Sequence, residues 1–191
     1  IAEYIPDGAK VLDLGCGNGR LLDFLEEQGK QIDYTGVDLS PAMIALAKKA
    51  HPKADFVVQD FCRLDLPQRF DAVVCIAALH HVMNTKHRKK ALELMARHLE
   101  ANGLLIITVW NLWQRKMIPY HLKAWLQCLR SFFTKNPRDL CIPFGVSKSP
   151  RMYHAFFADE LKKALRSAGF SIERWQNNGR NFLAVASKRS L

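Results

Sequence analysis

From Lys10 onward, short apolar runs alternate with stretches in which apolar residues recur every three or four positions. The runs at 10–14, 32–38, 54–59, 70–76 and 103–110 predict strands, and the periodic stretches at 20–28, 41–50 and 87–99 predict helices. In the last of these helices Ala91, Leu92, Met95 and Leu99 share one face. Runs such as AVVCIA and LLIITV are apolar at every position, the mark of strands covered on both faces. A parallel sheet with helices on each side follows, with ligands expected beyond the carboxyl ends of its strands. A helix at 159–168, ended by Gly169, leads into strands at 170–175 and 182–187. The Asn- and Gly-rich stretch between those strands reads as a hairpin loop, so the sheet is expected to finish with an antiparallel last strand.

Residues 111–154 interrupt this alternation and read as a helical insertion in one domain spanning 1–191. Behind Pro119, the residues Ile118, Leu122, Trp125, Leu129 and Phe133 form an apolar stripe, and Lys116, Lys123 and Arg130 recur on a different stripe. The net charge of +10 sits unevenly along the chain. Residues 1–110 carry 13 Lys/Arg against 14 Asp/Glu, whereas 111–154 carry 8 against 1 and 155–191 carry 7 against 3. The basic segment also holds Trp113, Tyr120, Trp125, Phe132, Phe133, Phe144 and Tyr153. Cations neutralise phosphates and aromatic faces stack on unpaired bases, so this interleaving points to single-stranded nucleic acid. A solvated basic helix over a core stripe is the competing explanation.

With 191 residues, 49% of them hydrophobic and no repeats, the chain is a globular domain, not a disordered or collagen-like one. The longest wholly apolar run, 72–79, is far below the ~20 residues of a membrane-spanning helix. The amino terminus shows no leader pattern, although the chain starts at Ile1 and not at Met. Five scattered cysteines without a CxxC spacing argue against a disulfide framework or a structural metal. A soluble, cytoplasmic protein with neither membrane nor metal partner is the expectation.

The chemistry begins where the first strand runs into Asp13-Leu14-Gly15-Cys16-Gly17-Asn18-Gly19, with Asp38 nineteen residues further on. Glycines let the backbone pass close to a ligand, and an acid at that distance can hold two ribose hydroxyls. A nicotinamide site wants GxGxxG, which would put a third glycine where Arg20 stands. The pattern DxGxGxG instead suits S-adenosylmethionine, whose ammonium and sulfonium favour the added carboxylate of Asp13.

VLDLGCGNG, TGVDLS, VVQD and FDAVVCIAALHHV, in this order, resemble motifs of the class I S-adenosylmethionine-dependent methyltransferases along essentially the whole chain. The resemblance implies a single-domain α/β Rossmann-like fold. It places the methionine part of S-adenosylmethionine on the loop at Gly15, Cys16, Gly17, Asn18 and Gly19, and the ribose on Asp38 beside Leu39. It borders the adenine with Asp60 and Phe61 and brings Ile76 to the same site. IAALHHVMNTKHRKKALELMARHL, ITVWN and RMYHAFFADEL look more specifically like signatures of the tRNA wobble carboxymethyluridine methyltransferases. The chain departs from that family at 109–114 and at 179–182. Partners implied are tRNA, through its anticodon loop, and a small activator subunit of the kind that eukaryotic members use.

The acceptor decides which further residues matter. A carboxylate, with a pKa of about 4, needs only to be held. Arg151 and Tyr153 suit that task, and Trp110 closes the fifth strand, where it either walls the methyl site or fills the core. A phenol or amine needs a base, for which His80 or His81, at the end of the fourth strand, is placed, with His81 favoured as substrate-facing. Cys75 lies inside an apolar strand and reads as core. The alternative function is methyl transfer to a small molecule, with Ile118, Leu122 and Trp125 as a hydrophobic lid.

Overall fold

The computed structural model describes residues 1–145 and 149–189. One seven-stranded sheet runs in the order β3-β2-β1-β4-β5-β9-β8. Its strands are β1 (Lys10–Leu14), β2 (Asp33–Asp38), β3 (Asp55–Val58), β4 (Phe70–Ile76), β5 (Leu99–Trp110), β8 (Phe170–Asn177) and β9 (Asn181–Lys188). The first five are mutually parallel, and β9 runs antiparallel to both of its neighbours. Helices α1 (Arg20–Glu27), α2 (Pro41–Ala50), α3 (Thr85–Arg97) and α5 (Ala158–Ser167) complete the α/β alternation. This is the Rossmann-like fold that the sequence predicts.

Period-two alternation assigns each strand residue to one of two cores. Leu12, Leu14, Val73, Cys75, Leu105 and Ile107 pack with Ala91, Leu92 and Met95 of α3 and with Leu161 and Leu165 of α5. Val11, Ala72, Val74 and Ile106 pack on the other face with Leu22 and Leu25 of α1 and Ile44 and Ala47 of α2. Because β1 lies between β2 and β4, the chain order reverses there, and a crevice opens at the carboxyl ends of β1 and β4.

The insertion is only partly helical. Helix α4 (Ile118–Arg130) is followed by a two-stranded hairpin of β6 (Asp139–Phe144) and β7 (Ser149–His154), where a helical segment was expected. Residues 146–148 of the expected insertion lie outside the described residues. Helix α4 packs through Ala124 and Cys128, while Ile118, Leu122, Trp125 and Leu129 are exposed. The stripe read as core thus faces outward.

Candidate active site

The crevice contains a cavity of about 820 Å³. One side is built by the turn after β1, where Gly15 and Gly17 take left-handed φ values of 79° and 57°. A Cβ on Gly15 would lie 2.5 Å from the Ala78 Cβ, so only glycine lets this turn close against the segment after β4. The Asp38 carboxylate pins the turn, accepting from the Gly17 N–H at 2.9 Å and from the Ser40 N–H at 2.8 Å. Each carboxylate oxygen has a second lone pair, which leaves Asp38 able to accept from a diol. Asp60 accepts from the Cys62 N–H at 2.8 Å, capping a short helical turn, and still lines the cavity with Phe61. Leu39 and Ile76 add apolar surface. A glycine turn, a diol-binding acid and an apolar slot fit S-adenosylmethionine.

Of the residues predicted for the cofactor, Gly15, Gly17, Asn18, Asp38, Leu39, Asp60, Phe61 and Ile76 line the cavity. Asp13, Cys16 and Gly19 do not. Asp13 is buried on the α1/α2 side of β1, the face of Val11, and accepts from the Tyr34 hydroxyl at 2.6 Å. In this position it braces Tyr34 beneath the glycine turn. Burial pushes its carboxyl up to about 7, the Tyr34 hydrogen bond pulling down and the Asp38 charge adding to the rise. The buried Cys16 thiol is likewise raised by burial and by the charges of Asp13 and Asp38. Gly19, with φ of 91°, caps α1 beneath the loop.

The other end of the cavity brings together His81, Trp110, Arg151 and Tyr153 from three separate elements. Tyr153 stacks on Trp110, with ring centroids 5.2 Å apart and planes at 16°. His81 lies 4.6 Å from the Tyr153 ring. Arg151 sits over the Phe144 ring at 4.3 Å. The His81 ring donates from Nδ1 to the Met152 carbonyl at 3.2 Å, leaving Nε2 as an acceptor. Burial lowers the His81 pKa, the Met152 hydrogen bond opposing and the Arg151 charge adding to the drop. Burial raises the Tyr153 phenol, against the pull of the Arg151 charge.

His80 is not a wall of the cavity but a buried brace behind it. Its Nδ1 accepts from the Trp110 N–H at 3.2 Å, and burial, helped by His81, pushes its pKa down to about 3. Cys75 is core, its thiol pushed up to about 12 by burial, with the Asp13 charge contributing. Several lining residues were not legible from motifs, among them Phe144, Met83, Asn84 and His87. Ala77 was missed too. Its φ of 51° is strained for a residue with a Cβ, and its N–H is held by the Thr108 carbonyl at 3.0 Å and hydroxyl at 3.1 Å. The strand register Ile76↔Thr108 is the signal that could have found that clamp.

The hairpin that carries Arg151 and Tyr153 is tied down by a charged network. The buried His154 meets Asp139 at 2.7 Å through Nδ1 and Glu160 at 3.1 Å through Nε2, and Arg138 pairs with Glu160. Arg88, at the start of α3, is buried and donates to the Val82 and Met83 carbonyls at 2.8 and 2.7 Å.

The glycine turn, the Asp38 carboxylate and the doubly covered sheet make a Rossmann-like domain whose cavity suits S-adenosylmethionine. Residues 11–103 match the family described as "Methyltransferase domain". The chain is 34% identical over 109 residues to the Arabidopsis thaliana "tRNA (carboxymethyluridine(34)-5-O)-methyltransferase", covering 56% of this chain and 26% of that protein. It is 24% identical over 209 residues to the Schizosaccharomyces pombe protein of the same name, covering 97% and 84%. A Streptomyces fradiae dTDP-3-amino-3,6-dideoxy-alpha-D-glucopyranose N,N-dimethyltransferase is 29% identical over 111 residues, covering 58% and 43%. The chain thus spans less than half the length of two of these three relatives. A SAM-dependent methyltransferase structure from Methanosarcina mazei superposes with a TM-score of 0.81 at 22% identity, covering 97% of this chain and 95% of that one.

Proposed function

We propose that the protein transfers a methyl group from S-adenosylmethionine to a carboxylate, the carboxymethyl group of a tRNA wobble uridine. The observation that carries this reading is the convergence of Arg151 and Tyr153 on the cavity that holds the glycine turn and Asp38. When bound, S-adenosylmethionine supplies an electrophilic methyl carbon on a positively charged sulfur. Gly15, Gly17 and Asn18 hold its methionine part, Asp38 its ribose, and Asp60, Phe61 and Leu39 its adenine. Arg151 orients an already ionised carboxylate, so no proton has to move. Trp110 and Tyr153 exclude water, and alignment supplies the remaining rate advantage. The relatives named for carboxymethyluridine support the acceptor, and five unpaired cysteines support a cytoplasmic setting. A small activator subunit remains among the partners suggested by the resemblance.

A second reading is favoured by one observation. The Nε2 of His81, left as an acceptor by the Met152 carbonyl, is placed to take a proton from an amine or hydroxyl of a small molecule. Ile118, Leu122 and Trp125, expected as a hydrophobic lid, are not among the residues lining the cavity. Salt and one substitution separate the two readings. On the tRNA reading, transfer falls steeply between about 50 and 200 mM salt. Arg151→Gln raises the KM for tRNA and leaves cofactor affinity unchanged by calorimetry. Salt-insensitive transfer that survives Arg151→Gln but is lost in His81→Ala selects the small acceptor.

A further inference from the structure

From Ala101 to Arg138 the chain contains no Asp or Glu and six Lys or Arg. Helix α4 lies inside this stretch and has three faces about 120° apart, as 3.6 residues per turn requires. Ala124 and Cys128 form the buried face. Lys116, just before the helix, with Lys123 and Arg130, marks the second. The third carries Ile118, Leu122, Trp125, Leu126 and Leu129, exposed by 52, 58, 54, 50 and 39%. At the carboxyl end, Phe132 and Phe133 extend the apolar row, 90 and 74% exposed. Both have left-handed φ values, 49° and 64°, where glycine is usual and where a side chain costs about 1–2 kcal/mol. A helix terminus that tolerates such strain to hold two bare phenylalanines in water is under some demand other than stability. Beside the row lies a groove of about 470 Å³, lined by Trp113, Ile118, Leu122 and Trp125 together with Arg115 and Arg138.

We propose that this face of the insertion docks on an anionic lipid bilayer, with α4 lying in the plane of the headgroups. Trp, Leu and Phe on one face with Lys and Arg on the next is the pattern of a helix that rests in a membrane interface. The complete lack of acids makes the charge complementary to phosphate-bearing lipids. RNA would neutralise the same cations and find rings in Trp125, Phe132 and Phe133, but Ile118, Leu122, Leu126 and Leu129, the greater part of the helical row, are buried only by an apolar medium. A second copy docked through the apolar row would bring the flanking cations Lys116, Lys123 and Arg130 of both chains close together. No helix among the described residues is long and apolar enough to cross a membrane, and the proposed contact is peripheral. It departs from the expectation of no membrane partner, which rested on the absence of a spanning run. It is independent of the methyl acceptor, since no α4 residue lines the cavity.

Sedimentation with vesicles tests the proposal on the full chain. Vesicles of mixed phosphatidylcholine and phosphatidylglycerol should pellet the protein roughly a hundredfold better than phosphatidylcholine alone, given the attraction of three surface cations. Leu122→Glu/Leu129→Glu should abolish pelleting while melting temperature and cofactor affinity stay unchanged. Should that variant misfold, Lys116→Glu/Lys123→Glu/Arg130→Glu gives the same reading from the charged face and should also abolish it. Four outcomes overturn the proposal: no pelleting, equal pelleting on neutral vesicles, unaltered pelleting of both folded variants, or a lipid-free dimer in light scattering that Leu122→Glu/Leu129→Glu dissolves. The last would assign the face to a second copy.

Discussion

At the scale of single residues, the two aspartates flanking the glycine turn do different work. Asp38 accepts two backbone N–H groups from its loop and keeps lone pairs for a ligand. Asp38→Ala should weaken S-adenosylmethionine binding about 10- to 100-fold by calorimetry, the scale of hydrogen bonds to a charged group. Unchanged affinity would remove Asp38 from the cofactor site. Asp13, buried with its carboxyl pushed up to about 7, affects stability instead. Its folded state binds more protons than the unfolded state between about pH 4 and 7. This group's contribution to stability is therefore full below about pH 4 and falls as pH rises to about 7. Asp13→Asn keeps an oxygen for the Tyr34 hydroxyl and removes the buried charge. Its stability relative to the parent should be higher at pH 8 than at pH 5 in urea unfolding, and an equal difference at both would contradict this. The spacing of glycines and acid was legible because the chemistry is local. The face of Asp13 could also have been read, since it shares parity with Val11 and not with Leu12 and Leu14. The meeting of His81, Trp110, Arg151 and Tyr153 could not be derived from spacing. His81, Trp110 and the Arg151–Tyr153 pair stand dozens of residues apart, and only the resemblance pointed to them as a group.

At the scale of elements, the β6–β7 hairpin brings Phe144, Arg151 and Tyr153 to the cavity. It escaped sequence reading for a physical reason. Pro143 and Pro150 sit opposite each other in its register, and proline donates no hydrogen bond, so each strand reads as a loop. Its two strands have no further partner strand, and its anchorage is the His154 network with Asp139 and Glu160. Leaving buried hydrogen-bonding groups without their partner costs about 1–3 kcal/mol each. His154→Ala should lower the melting temperature and raise the KM for the acceptor while cofactor affinity stays as it is, because Asp38 and the glycine turn are on the far side of the sheet's switch point. Loss of cofactor affinity in step with acceptor binding would show that the network does not act on the hairpin alone. Helix α4 shows the converse difficulty. Its apolar period was plain, but period alone does not say which of two faces meets the protein, and the small residues Ala124 and Cys128 are the ones buried.

At the scale of the whole molecule, the α/β alternation made the fold legible almost strand for strand. Runs apolar at every position can only be satisfied by helices on both faces of a sheet, and two cores of opposite parity are what formed. The acceptor is a property of the insertion and of the crevice it overlooks, where a cation, an imidazole and stacked rings meet. The proposed methyl ester on tRNA is tested most directly by transfer of tritiated methyl from S-adenosylmethionine to bulk tRNA, followed by mild alkali and a count of volatile methanol. The proposed function predicts that the counts leave the tRNA as methanol. Counts that stay on the tRNA after alkali would contradict a carboxylate acceptor and move the chemistry to nitrogen, ribose or carbon, with His81 as the candidate base.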